Sequence, residues 1–265
     1  MEKLIDVLHE FNKKRTELIS KNWDDNAVAE CFAPIAKYAL LDGYLLVNKK
    51  YIIDFGAVEL YYHEENGNIK DHIMYHTNEH PSKSKIYELN NGFPYFKIGS
   101  INPHQSGIDI TFENDDNKED KYRASFLIRS YRVLENENDL NNMDIPFDCC
   151  STHIFDDVFY EGISYDADNK TTIEWIVYHK NGSYNEKGCP RINVSTYRFN
   201  NNNKKYEKDD FNYDSGDIIT KNDYDIDQKE AKVSKSYPKY FKYGKKYYNQ
   251  DMRLWQFKRN NIIEK

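Results

Sequence analysis

The apolar residues of this chain change period at residue 43, and that change limits the fold more than any other feature. Before it, Leu4, Ile5, Leu8, Phe11, Leu18 and Ile19 recur close to helical spacing. In "WDDNAVAECFA", Asp24 or Asp25 supplies the N-cap of a second helix. Pro34 kinks that helix or ends it, and "IAKYAL" can resume it. After residue 43 the pattern is that of strands. "GYLLV" and "YIIDFGAVELYYH" are joined at "NKK" in a tight hairpin. "SGIDITFE" (106–113) and "YRASFLIRSYRVLE" (122–135) flank an acidic loop as a second hairpin. "TTIEWIVYH" (171–179), "RINVSTYRF" (191–199) and "RLWQFK" (253–258) complete the strands. Helices come first and strands follow in hairpins. The expected class is α+β, with N-terminal helices followed by a curved, mostly antiparallel β-sheet.

The length of 265 residues fits one domain over 1–265, with a mobile insertion at 200–236, where Asn, Lys and Asp crowd out aliphatic residues. Residues 71–97 read as a long polar loop, a kind of segment that often carries function. The net charge of −7 argues mildly against a dedicated polyanion binder. It is unevenly spread, however. Residues 207–230 hold nine acids and three bases, whereas 237–265 hold eight bases and two acids. A nucleic-acid partner therefore stays open. Cys31, Cys149, Cys150 and Cys189 form no C-x-x-C pair, so free thiols are expected. The N-terminus is too charged for a signal peptide and no apolar run is long enough to span a bilayer. These features imply a cytoplasmic chain with no membrane partner.

Four stretches carry candidate chemistry. Glu59 lies in an apolar strand, where alternation places Ile53, Phe55, Ala57, Glu59 and Tyr61 on one face. A carboxylate there is costly unless it is paired or working. Arg129, in "FLIRSYR", would neutralise it as a structural pair, or hold a ligand by stacking and hydrogen bonding. "HIMYHTNEH" spaces His72, His76 and His80 at i, i+4 and i+8, a metal-binding pattern on a helix. Thr77, Asn78 and Pro81 make a poor helix and no carboxylate sits at the usual offset, so no metal is expected. In "NPHQSGIDITFE", Gly107, Asp109 and Thr111 share a face, and the small residue beside the carboxylate leaves room for a flat ligand. Alternatively, Asp109 caps a turn or pairs with Arg129.

In order along the chain, "VELYYH", "KDHIMYH", "SGIDITFE" and "FLIRSYRVLE" resemble the alkyladenine (3-methyladenine) DNA glycosylase family. That family has a strand ending in Glu-x-Tyr, a histidine-bearing loop, a strand with a central Asn, and an apolar strand with an Arg. "AECFAPIAKYALLDGYLLV", "CPRINV" and "LWQFK" extend the resemblance over roughly residues 27–258. It implies a fold like the C-terminal domain of formyltransferases and no cofactor. Glu59 would be the general base that activates water, and Arg129 would orient that water or hold the sugar-phosphate. Tyr61 would stack on a flipped-out base, and His72 or His76 would meet the base's other side. Asp109 stands where the family has Asn, at the base edge. Asn102 or His104 stands where the family inserts a tyrosine wedge into the duplex. The implied function is hydrolysis of the N-glycosidic bond of alkylated purines in DNA. The alternatives are a divergent member that binds a nucleoside, or a single strand through Tyr240, Tyr243, Tyr247 and Trp255, and a non-catalytic scaffold.

Overall fold

The computed structural model describes residues 1–21, 23–74, 95–104, 106–114, 120–149, 152–154, 158, 172–211, 240–243 and 246–265. Two helices, α1 (Glu2–Ile19) and α2 (Asp25–Leu41), precede the strands β1 (Gly43–Val47), β2 (Tyr51–Glu64), β3 (Ile101–His104), β4 (Gly107–Thr111) and β5 (Tyr122–Leu134). There follow β6 (Ile173–Val177), β7 (Tyr197–Asn200), β8 (Lys205–Lys208), β9 (Asp210–Phe211), β10 (Tyr240–Tyr243), β11 (Lys246–Asn249) and β12 (Gln256–Lys258). The chain divides into two compact units. One comprises Met1–Ile69, Tyr95–Gly188 and Trp255–Lys265; the other comprises Lys70–Pro94 and Cys189–Leu254.

The first unit is α+β, with the two N-terminal helices and a curled antiparallel half-barrel sheet. α1 buries Leu4, Leu8 and Phe11 at helical spacing. The Asp24 side chain caps α2 by accepting from the N–H groups of Asn26 and Ala27. Pro34 lies inside α2 and does not end it. The helix buries Val28, Phe32, Ile35, Ala36, Ala39 and Leu40, and that packing outweighs the lost hydrogen bond. The sheet runs β3-β4-β5-β2-β1-β6, with β12 added to the middle of β2, at residues 57–59. β2 and β5 pair over nearly their whole lengths and form its spine. Aromatic rings fill the space between helices and sheet. Phe32 meets Phe257 at 5.4 Å and Phe11 meets Phe112 at 5.0 Å, both edge to face. Cys31 is buried in this core, and burial pushes its thiol up to about 11. Cys31, Cys149 and Cys189 form no disulfide.

Two compensating bulges interrupt the spine. Phe55 pairs with Tyr131, Ala57 with Ser130 and Val58 with Ile128, so Gly56 on β2 and Arg129 on β5 have no counterpart across the ladder. This corrects the alternation expected from the sequence. Ile53 and Phe55 join the helix-side core together with Val58, Leu60 and Tyr62, whereas Glu59 and Tyr61 belong to the opposite face. A Cβ on Gly56 would meet Ser130 Oγ at 2.5 Å and Phe147 Cδ1 at 2.6 Å, which is why glycine stands there.

In the second unit, β7 and β8 form a hairpin, and β10-β11-β9 form a small sheet. Of the stretch read as an insertion, residues 201–211 are turn and strand, and 212–236 lie outside the described residues. The strand expected over 191–199 is regular only from Tyr197, and the one expected over 253–258 only from Gln256. No helix among the described residues is long and apolar enough to cross a membrane.

Candidate active site

The antiparallel register sets five residues in one row across the sheet. Gln256 pairs with Glu59, Glu59 with Leu127, Leu127 with Asp109, and Asp109 with Asn102. Directly opposed residues share a face, so all five project away from the helices. Arg129 joins them because it is the bulge residue. Arg129 and Ser130 succeed each other on the same side of β5, where unbroken alternation would separate them.

Glu59 is the centre of the row and is only 1% exposed. Tyr61 donates its hydroxyl to Glu59 Oε2 at 3.1 Å, and Gln256 donates Nε2–H to Oε1 at 2.9 Å. Arg129 Nε lies 3.6 Å from Oε1. The Arg129 side chain is 26% exposed, so it links the buried carboxylate to the surface. Two neutral donors fix the carboxylate plane and a guanidinium offsets its charge. The carboxylate is thus held in place with a cation on its Arg129 side.

Two strands along the row, about 10 Å away between backbones, Asp109 forms a second buried group. Ser125 donates its hydroxyl to Asp109 Oδ2 at 3.2 Å. His104 Nδ1 accepts from the Ser106 N–H at 3.1 Å, so in the neutral ring the proton sits on Nε2, 3.3 Å from Asp109 Oδ1. Asp109 is thus paired with His104. The sequence alternative of an Asp109–Arg129 pair is not what the structure shows, because Arg129 goes to Glu59.

Glu59, Tyr61 and Arg129 therefore meet in one cluster, with Asp109 and His104 on the same face beside it. His72 belongs to the second unit, where its ring stacks on Tyr206 at 3.8 Å. His76 lies outside the described residues. Sequence reasoning did not single out Gln256 and Ser125. Each is one polar residue in an apolar strand, and only the pairing register shows which carboxylate it serves. Among the described residues, no group of three or more His, Cys, Asp or Glu is placed to hold a metal ion.

No family model, curated protein or solved structure matches the chain. The site must be read from its own geometry. A cavity of about 400 Å³, lined in part by His9, Asn12, Tyr95, Lys97 and Glu113, includes none of the residues around Glu59. The carboxylate in that cavity is already engaged. Glu113 accepts from the Phe96 N–H at 2.8 Å and lies 3.4 Å from Arg123. Chemistry that needs an ionised group beside a cation with access to solvent is better served at Glu59.

Proposed function

We propose that the chain hydrolyses N-glycosidic bonds, with alkylated purines in DNA as the substrate class. The observation that carries this reading is the buried Glu59 carboxylate held against the partly exposed Arg129 at 3.6 Å. A water bound between them would be oriented by the guanidinium and would lose its proton to Glu59. As the C1′–N bond breaks, its electron pair leaves with the base, and the water oxygen forms the new bond to C1′. The carboxylate also stabilises the positive charge that develops on the sugar. An alkylated purine is the apt leaving group because alkylation on the ring places positive charge on the departing base. The order of the Glu-x-Tyr, Asp109 and Arg129 strands, which resembles that of the alkyladenine glycosylases, supports this substrate class.

The test is abasic-site formation in an alkylated duplex and in the corresponding single strand. Wild type is expected to release base, and Glu59→Gln to lose at least about a hundred-fold in rate. Absence of release by wild type, or equal release by the variant, rejects the reading. A second, purely structural reading is favoured by the groups already on Glu59, the donors Tyr61 and Gln256 with Arg129 beside them. It predicts that Glu59→Gln changes the unfolding midpoint and nothing else.

A further inference from the structure

Among its described residues, the second unit carries a row of rings along one strand face. On one face of the β7-β8 hairpin stand Tyr197, Phe199, Tyr206 and Lys208, because Phe199 pairs with Tyr206 and Tyr197 with Lys208. Phe199 and Tyr206 meet edge to face at 5.1 Å. The His72 ring stacks on Tyr206 and lies 5.9 Å from Tyr197. Its neighbour Asp71 is fixed by Arg191 at 2.6 Å, so the histidine is anchored at its backbone.

The row continues across Lys208. Its Nζ sits 5.6 Å above the Tyr248 ring, which stacks with Phe241 at 5.6 Å. Tyr243 and Lys246 pair on that same face of the β10-β11 hairpin. Asp209 and Asn249 fasten the two hairpins together. Asp209 N–H donates to Thr196 O at 2.8 Å and Asn249 N–H donates to Asp209 O at 3.0 Å.

Cross-strand aromatic pairs do stabilise small sheets. That role is met by rings that bury one another, and it does not account for Phe199 at 46% exposure or Tyr243 at 75%. Nor does it account for the charge. The segment Tyr197–Lys208 holds Arg198, Lys204, Lys205 and Lys208 against Glu207 alone. Arg198, Lys205 and Glu207 stand on the reverse face, where Asn200 and Asn203 hold Glu207, which leaves Lys208 on the ring face and Lys204 at the turn. Half-exposed rings spaced along a strand face, with cations between them and at the hairpin turn, suit a ligand that alternates flat heterocycles with phosphates.

We propose that this face of the second unit binds single-stranded nucleic acid by stacking unpaired bases on Phe199, Tyr206 and Tyr248 and pairing its phosphates with Lys204 and Lys208. The surface is independent of Glu59 and needs no hydrolysis. The test is fluorescence anisotropy of the full chain with a labelled oligothymidylate of about fifteen nucleotides and a duplex of the same length. A third arm uses phosphatidylserine vesicles in a sedimentation assay. Single-strand binding that exceeds duplex binding, with no retention on vesicles, is expected. Phe199→Ala should weaken it about ten-fold, whereas Phe199→Trp should keep it. The variant Lys204→Ala, at an exposed turn position, should reduce the dependence of log affinity on log salt by about 1. Glu59→Gln should bind as wild type does, which separates this face from the proposed hydrolysis. No binding at low salt, equal binding of duplex or vesicle, or equal binding by the Phe199→Ala and Lys204→Ala variants overturns the proposal.

Discussion

Asp54 and Glu59 lie five residues apart on β2, both buried, and their surroundings give them different uses. Asp54 meets Arg132 Nε at 2.9 Å, Lys180 Nζ at 2.8 Å and Arg259 Nη1 at 3.1 Å. The cations spend their remaining donors on backbone carbonyls, Lys180 on Gly43 and Arg132 on Leu140, each at 2.7 Å. One carboxylate thus serves three buried cations. Burial holds the Lys180 ammonium below its usual range, and the attraction of Asp54 restores only part of the difference. Removing the anion should therefore cost far more than removing this cation. Asp54→Ala is expected to lose about 3–5 kcal/mol in urea unfolding, because three charges are left uncompensated. Lys180→Met is expected to lose under about 2 kcal/mol, since two guanidiniums remain on Asp54. The Arg129 cation beside Glu59 is further away, at 3.6 Å, and partly solvated. Glu59→Gln keeps an acceptor for Tyr61 and should cost no more than about 1 kcal/mol. A large drop in activity with a small drop in stability is the pattern expected of a reacting group.

The elements explain why Arg129 is free to serve Glu59. Gly56 and Arg129 are the extra residues of two opposed bulges, and each depends on the other to restore the register by Val58 and Ile128. Gly56→Ala should force the Ser130 and Phe147 side chains apart and cost about 1–3 kcal/mol. Because the displaced strand carries Arg129, the same substitution should lower base release beyond the loss of folded protein. Urea unfolding and single-turnover assays on one preparation check both. The bulge also marks where the sequence stops being readable. The period change at residue 43, the Asp24 cap and the β1-β2 and β4-β5 hairpins follow from local spacing, because capping and alternation are local effects. Glu59, Tyr61 and Arg129 stand out as polar residues in apolar runs. Alternation puts Ile53 and Phe55 on the wrong face, because it determines a face only while pairing is unbroken. Gly56 was the available signal, a glycine inside a strand. Trp255 is a similar case. Its basic, aromatic surroundings suggest a stacking ring, but it is fully buried, and its Nε1–H donates to Asp25 O at 3.0 Å. Burial of this kind is set by α2, more than two hundred residues earlier in the sequence.

At the scale of the molecule, the second unit is assembled from pieces far apart in the chain, and charge closes it. Arg191, fully buried, donates to Asp71 at 2.6 Å and to Asp251 at 2.9 Å. Arg253 reaches the same two carboxylates at 3.2 and 2.6 Å and also the Lys70 carbonyl at 3.0 Å. Burial alone would raise both acids, but the two guanidiniums outweigh it and hold Asp71 and Asp251 below the ordinary carboxylate range. Acids depressed in the folded state bind fewer protons there than in the unfolded chain. Their contribution is complete above the unfolded value of about 4 and is lost as pH falls from there through the folded values. Amide protection across residues 191–211 and 246–254 is therefore expected to decline below about pH 4, measured by hydrogen exchange. Asp71→Asn should produce the same loss at neutral pH, at a cost of about 3–5 kcal/mol, because it leaves the buried Arg191 and the partly buried Arg253 on one carboxylate. All three tryptophans belong to the first unit. Tryptophan emission of the variant should consequently stay native while exchange in the second unit accelerates. If emission and exchange shift together, the charge network stabilises the chain as a whole and not the unit it closes.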